Sequence, residues 1–133
     1  MKVPTKGGTR IIRNAATNKI VLGRALLRIN FWEHFKGLQL AAPLSDDEGL
    51  LFVTNREGKT QTAIHMFFMR FSIGVVWLDA MGKVVDKQLA KPWRPSYVPK
   101  APAQYFIEAN TSILDRVEIG DRLRFDEAAA PSK

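Results

Sequence analysis

Residues Ile73 to Asp79, reading IGVVWLD, are apolar on both alternating faces of an extended chain, with Ile73, Val75 and Trp77 on one side and Val76 and Leu78 on the other. A strand with no polar face has to be covered twice, so this stretch demands a central position between two packed layers. Gly74 interrupts it, adding permissive backbone at some cost in stability. Asp79-Ala80-Met81-Gly82 then reads as a tight turn leading into a return strand from Lys83 to about Leu89. A chain of 133 residues with 46% hydrophobic content and 25% charged residues can enclose such a strand in one core without disulfides or metals.

The other elements follow from local patterns. Residues 1–8 are expected to be a flexible tail, 9–126 a single globular domain and 127–133 a second flexible tail. Arg10 to Arg13 and Lys19 to Leu22, separated by Asn14 and Asn18, predict a hairpin. Asn30-Phe31-Trp32-Glu33 reads as a capping box opening a helix whose Phe31, Phe35 and Leu38 share one face. Gly49 to Val53, Gln104 to Ala109 and Asp121 to Phe125 predict further strands, and Asn110 is expected to cap a short helix running to Val117. Lys91 to Pro102, KPWRPSYVPKAP, holds four of the seven prolines and so cannot be a central strand. Periodicity alone supports an α+β chain made mostly of strands.

The wider run Ile64 to Asp79, IHMFFMRFSIGVVWLD, resembles the family called domain of unknown function 192. His65, Phe67, Phe68, Met69, Arg70, Phe71, Ile73, Val75, Val76, Trp77, Leu78 and Asp79 match its pattern, whereas Ser72 stands where proline is usual and Gly74 where aspartate is usual. The phrase KGLQLAAPLSDDEGLLF is similar to the family's helix and following strand, and the resemblance covers most of residues 20–125. It implies a mainly antiparallel β sandwich or distorted barrel with one or two short helices. The family has no agreed activity, and some of its members look exported.

Several function classes are disfavoured by composition. The absence of cysteine removes thiol catalysis, thiolate zinc sites and a disulfide scaffold. MKVPTKGGTRII lacks the apolar centre of a secretory signal, and no apolar run reaches the roughly 20 residues of a membrane span, so the expectation is a soluble, cytoplasmic protein. The net charge of +7 sits unevenly: residues 1–40 hold eight of the 20 basic side chains and one of the 13 acidic ones, leaving twelve of each to cancel elsewhere. Such a basic third can touch nucleic acid weakly and without sequence preference, although dispersed charges also serve simply as a solvated surface.

Acid–base or nucleophilic catalysis needs a poised group with a partner. His34 falls on the polar side of the expected helix. His65 opens the family motif and would gain a partner only if the strands bring it to Asp79 or Glu108. No Gly-x-Ser-x-Gly elbow or phosphate-cradling glycine loop is present, and Asp46-Asp47-Glu48 reads as loop solvation. Met66, Met69 and Met81 beside His65 suggest a soft-metal site, but on an extended strand Met66 would point away from His65 and Met69, so no metal or cofactor is expected. The Pro-rich segment combines restricted backbone with the flat faces of Trp93 and Tyr97 and the charges of Lys91, Arg94 and Lys100. Trp93 is either a binding residue there or a plug in the core.

The expectation is therefore a small binding or accessory domain, not an evident enzyme. Its cleft would draw on His65, Met69, Arg70, Asp79, Trp93, Arg94 and Tyr97, for a small molecule, sugar or peptide. The alternatives are a non-specific nucleic-acid-contacting protein using the basic N-terminal third, and a small hydrolase or isomerase using His65 and a carboxylate.

Overall fold

A computed structural model describes residues 8–29 (Ile29 by its backbone), 43–60, 62–64, 66, 69–94 and 96–128. Seven strands run in chain order as β1 (Gly8–Asn14), β2 (Ile20–Ile29), β3 (Glu48–Gly58), β4 (Ile73–Leu78), β5 (Val84–Ala90), β6 (Ala103–Ala109) and β7 (Leu123–Glu127), with a 3-10 helix at Thr111–Asp115. They form one sheet in the order β5-β4-β6-β3-β2-β1-β7. All neighbours pair antiparallel except β2 and β3, which run parallel with Leu26 opposite Leu50. The molecule is thus β-rich with a short helix, as the chain's patterns and its family resemblance both imply.

Alternation along the strands divides the apolar residues into two sets. Ile12, Leu22, Ala25, Leu51, Val53, Val76, Leu78, Val84, Tyr105, Ile107 and Leu123 make one cluster to which every strand contributes, so the sheet coils around it. Its two outer strands meet at one end, where Lys83 bridges Arg122 and the Val84 N–H donates to the Asp121 carbonyl at 2.8 Å. Ile113 and Val117, from the 3-10 helix and the turn after it, close the cluster. The opposite face of β3, β6 and β4 carries Leu50, Phe52, Phe106, Val75 and Trp77, and these form a second cluster. β4 is buried at all six positions, which is the doubly covered strand that its composition demands.

Turn chemistry is local and readable. The Asp79 carboxylate accepts from the N–H groups of Met81 and Lys83 at 2.9 Å each, and Gly82 takes the left-handed φ of 82° that closes the turn. Asn14 accepts from Ala16 and Thr17 to start the β1–β2 turn, and Asn18, at φ 63°, ends it. The Asn110 side chain caps the 3-10 helix by accepting from the Ser112 N–H, so the expected cap stands, although the helix is a short 3-10 segment. The capping box at Asn30 and the helix through Leu38 lie outside the described residues.

Gly74 has a packing reason. A Cβ there would lie 2.7 Å from Ile113 Cγ2 and 3.2 Å from both the Asn110 carbonyl oxygen and Leu114 Cγ. The 3-10 helix seats its apolar side on the strand where the family pattern usually has an aspartate, and a side chain at Gly74 would occupy that space.

Candidate functional site

Two long connections cover the second cluster. One, 59–72, leaves β3 and returns to the start of β4; the other, 91–102, leaves β5 and enters β6. They run antiparallel across the sheet and are stitched together by backbone: Ile64 and Tyr97 exchange N–H to carbonyl bonds at 2.9 and 2.8 Å, Met66 donates to Arg94 at 2.9 Å, and Trp93 donates to Met66 at 2.6 Å. Below them, the Trp77 indole N–H donates to the Thr62 carbonyl at 2.7 Å, which anchors this outer layer to the sheet. The buried Asp86 carboxylate fixes its other side, accepting from the Lys100 N–H and from Gln88.

Within this layer the side chains divide cleanly. Tyr97 is buried, and its hydroxyl accepts from the Lys91 N–H at 2.7 Å. Arg94 is exposed and lays its guanidinium over the Tyr97 ring, 5.3 Å from the centroid. Trp93 remains 56% exposed while its backbone sits at φ 66°, a conformation that bulky side chains rarely take. The second option for Trp93, a plug in the core, does not hold. Rigid backbone bonding on both sides keeps a large apolar ring at the surface.

The other expected site residues scatter. Arg70 is exposed, just before β4. Met69 is 2% exposed and Met66 1%, both packed in the second cluster, so Met69 is a core residue and not a cleft wall. The reason is a turn in which the Met69 N–H donates to the Met66 carbonyl at 3.2 Å, which swings both thioethers inward where an extended strand would have opposed them. Asp79 lies just past the far end of β4, about 20 Å at ordinary strand rise from Ile73 at its start, and both its turn bonds hold it there. His65 lies outside the described residues. Met81 is exposed in the β4–β5 turn, away from the buried Met66 and Met69, and among the described residues no group of three His, Asp or Glu side chains converges.

Glu108 differs from all of these. It is 1% exposed on the outward side of β6, opposite Leu50 and Val75, and its Oε1 accepts no hydrogen bond. Burial pushes its carboxyl up to about 8. The group is a neutral acid at neutral pH, buried on the same face of the sheet as Leu50 and Val75.

One property of the layer was invisible in linear order. Residues 59–72 and 91–102 contain Lys59, Arg70, Lys91, Arg94 and Lys100 and no aspartate or glutamate. All five cations are exposed, and none has an ion pair among the described residues. The basic N-terminal third is mixed, because Arg10 and Arg13 face Glu127 and Asp126 of β7 at 4.0 and 3.2 Å, while Lys19, Arg24 and Arg28 are exposed with no ion pair among the described residues. Summing charge over the two loops separately would have exposed the pattern, given the knowledge that they are neighbours.

The architecture defines a class: a small coiled β sheet whose outer face is roofed by two laced connections. The chain belongs to the DUF192 family, described as "Uncharacterized ACR, COG1430", whose model matches residues 15–125. It is 37% identical to the UPF0127 protein of Thermococcus sibiricus over 115 residues, covering 85% of this chain and 73% of that one. It is 39% identical over 99 residues to UPF0127 protein PF1050 of Pyrococcus furiosus, covering 73% and 82% of the two chains. The fold is shared with a Sinorhizobium meliloti 1021 protein described as a candidate transcription regulator, at TM-score 0.76 and 19% identity over 92% of this chain and 97% of that one. A protein of unknown function from Novosphingobium aromaticivorans has a TM-score of 0.70 at 18% identity, covering 89% and 84%.

Proposed function

We propose that the chain is a small binding or accessory module that takes its ligand on the outer layer, with Trp93 as the apolar contact and Arg94 and Arg70 as the charged ones. The observation that carries this reading is Trp93 itself: an indole 56% exposed, on a backbone at φ 66°, locked by its bond to Met66. Strained conformations persist where the surroundings enforce them and cluster at ligand-contacting positions. Aromatic and arginine side chains supply a disproportionate share of contact energy. Arg94, stacked on a buried tyrosine, is already ordered and loses little freedom on contact. Tyr97 contributes as a support beneath Arg94, and Met69 as packing beneath the layer.

A panel of nucleotides, acidic and neutral sugars, and short acidic and neutral peptides, titrated by isothermal calorimetry, tests the reading. A binding signal from one class that is lost in Trp93→Phe and weakened at least about tenfold in Arg94→Ala is the expected result. Binding that survives both substitutions unchanged would place the ligand elsewhere.

A further inference from the structure

The geometry points to single-stranded nucleic acid as the ligand class of the outer layer, an inference that rests on the binding reading above. We infer that its phosphates run along Lys59, Arg70, Lys91, Arg94 and Lys100 while one unstacked base lies against Trp93. The first support is charge. From Gly58 to Leu78 and from Lys87 to Ile107 the chain has no acidic residue, and the tertiary fold lays the connecting parts of these two stretches side by side. The five cations of the layer are exposed and, like Arg24 and Arg28 of β2, have no ion pair among the described residues; what sets the layer apart is that its two connections bring cations together with no acidic residue between them. The nearby Asp86 carboxylate is buried and accepts from the Lys100 N–H beneath the layer, so the exposed charge of the two connections is positive, which suits a polyanion.

The second support is shape. Sequence-tolerant binding of single strands combines a basic track with aromatic faces on which bases stack, and the exposed indole of Trp93 on its bonded backbone, with Arg94 next in the chain held over Tyr97, supplies both elements. A duplex keeps its bases stacked inside and leaves nothing for Trp93. The competing occupant, an acidic peptide in extended form, binds by adding main-chain hydrogen bonds to a free edge. The 91–102 connection is a poor template for that purpose, because Pro92, Pro95, Pro99 and Pro102 have no N–H to donate. What remains at the surface is side-chain charge and ring, which matches a ligand that carries charge on its backbone and rings as its side groups.

Fluorescence anisotropy of the full chain with a labelled 12-nucleotide oligo-dT and the corresponding RNA tests this, with a duplex of equal length, heparin and polyglutamate as the other arms. The expected result is binding to the single strands at least tenfold tighter than to the duplex. The logarithm of Kd should rise with the logarithm of salt with a slope of no more than about 3.5, since each phosphate neutralised contributes about 0.7 and five cations are at hand. Trp93→Ala should weaken single-strand binding about five- to hundredfold. Lys91→Ala and Lys100→Ala should each lower the salt slope, and Arg24→Ala with Arg28→Ala, exposed on β2, should leave it unchanged. Unaltered melting curves keep these comparisons interpretable. Duplex or heparin binding equal to the single strand, or oligonucleotide binding that ignores Trp93→Ala, would overturn the inference. If no oligonucleotide binds while another ligand class still reports through Trp93, the nucleic-acid class is wrong and the binding surface stands; if Trp93 and Arg94 matter for no ligand, both readings fall.

Discussion

Glu108 is a buried carboxylic acid whose proton is held more tightly in the folded chain than in the unfolded one, since burial raises it to about 8 from an ordinary 4.5. Its contribution to stability is therefore complete below about pH 4.5 and is lost as pH climbs through about 8, where folding must bury a charge. Glu108→Gln keeps the shape and removes the titration. Melting temperatures of the parent should fall relative to this variant between pH 5 and pH 9, and parallel profiles would show that another group governs the alkaline side. The Tyr105 hydroxyl is likewise buried without a partner, and burial raises its pKa, so Tyr105→Phe should be neutral or stabilising by up to about 1 kcal/mol in denaturant melts. Trp93 gives the opposite contrast to a core aromatic. Its exposure implies that Trp93→Ala costs under about 1 kcal/mol, against the 3 to 5 kcal/mol typical of a buried plug, and chemical denaturation distinguishes the two directly. These residues were individually visible in the sequence, but their environments were not. Met69 and Asp79 show why: a side chain's role depends on a turn at Met66 and a bend after Leu78, both decided by a few backbone bonds.

At the scale of elements, the strand Ile73–Leu78 was the most legible part of the chain, because apolar side chains on both faces leave a single way to satisfy them. Val76 is fully buried in the cluster enclosed by the sheet, so Val76→Asp should cost several kcal/mol or prevent folding; a melt close to the parent's would contradict the packing described. Gly74 belongs to the same strand for a different reason. Gly74→Ala forces a methyl group against Ile113 Cγ2, Leu114 and the Asn110 carbonyl, and should destabilise by about 1 to 3 kcal/mol in denaturant melts. Hairpin partners and turns were equally plain, since Asn18 and Gly82 mark positions needing positive φ. The parallel pairing of β2 with β3 was not, because nothing local distinguishes a strand that will pair with its successor in parallel from one that will not.

At the scale of the whole molecule, pairing of β1 with β7 and the Lys83–Arg122 bridge join distant parts of the chain and complete the wrap around the central cluster. A chain ending at Gly120 loses β7, with Leu123, and opens the cluster at Ile12 and Val84. We expect such a truncation to show no cooperative thermal transition by circular dichroism, and a sharp two-state melt would show that the seam is dispensable. The same long-range organisation sets the charge pattern: β7 brings Glu127 and Asp126 to Arg10 and Arg13, while the laced loops pool five cations and carry no carboxylate of their own.

By itself the sequence determined the strand-dominated class, the central position of Ile73–Leu78, the main turns and the likeness to a family, because each depends on periodicity or on a residue's own backbone preference. Tertiary structure alone decided that Trp93 faces solvent, that Met66 and Met69 share a core, that Glu108 is buried without a partner for Oε1, and that two acid-free loops form one surface. The physical reason is distance along the chain: Trp93 is bonded to Met66 and Tyr97 to Ile64, contacts across about thirty residues whose formation depends on the sheet beneath them and on no local signal.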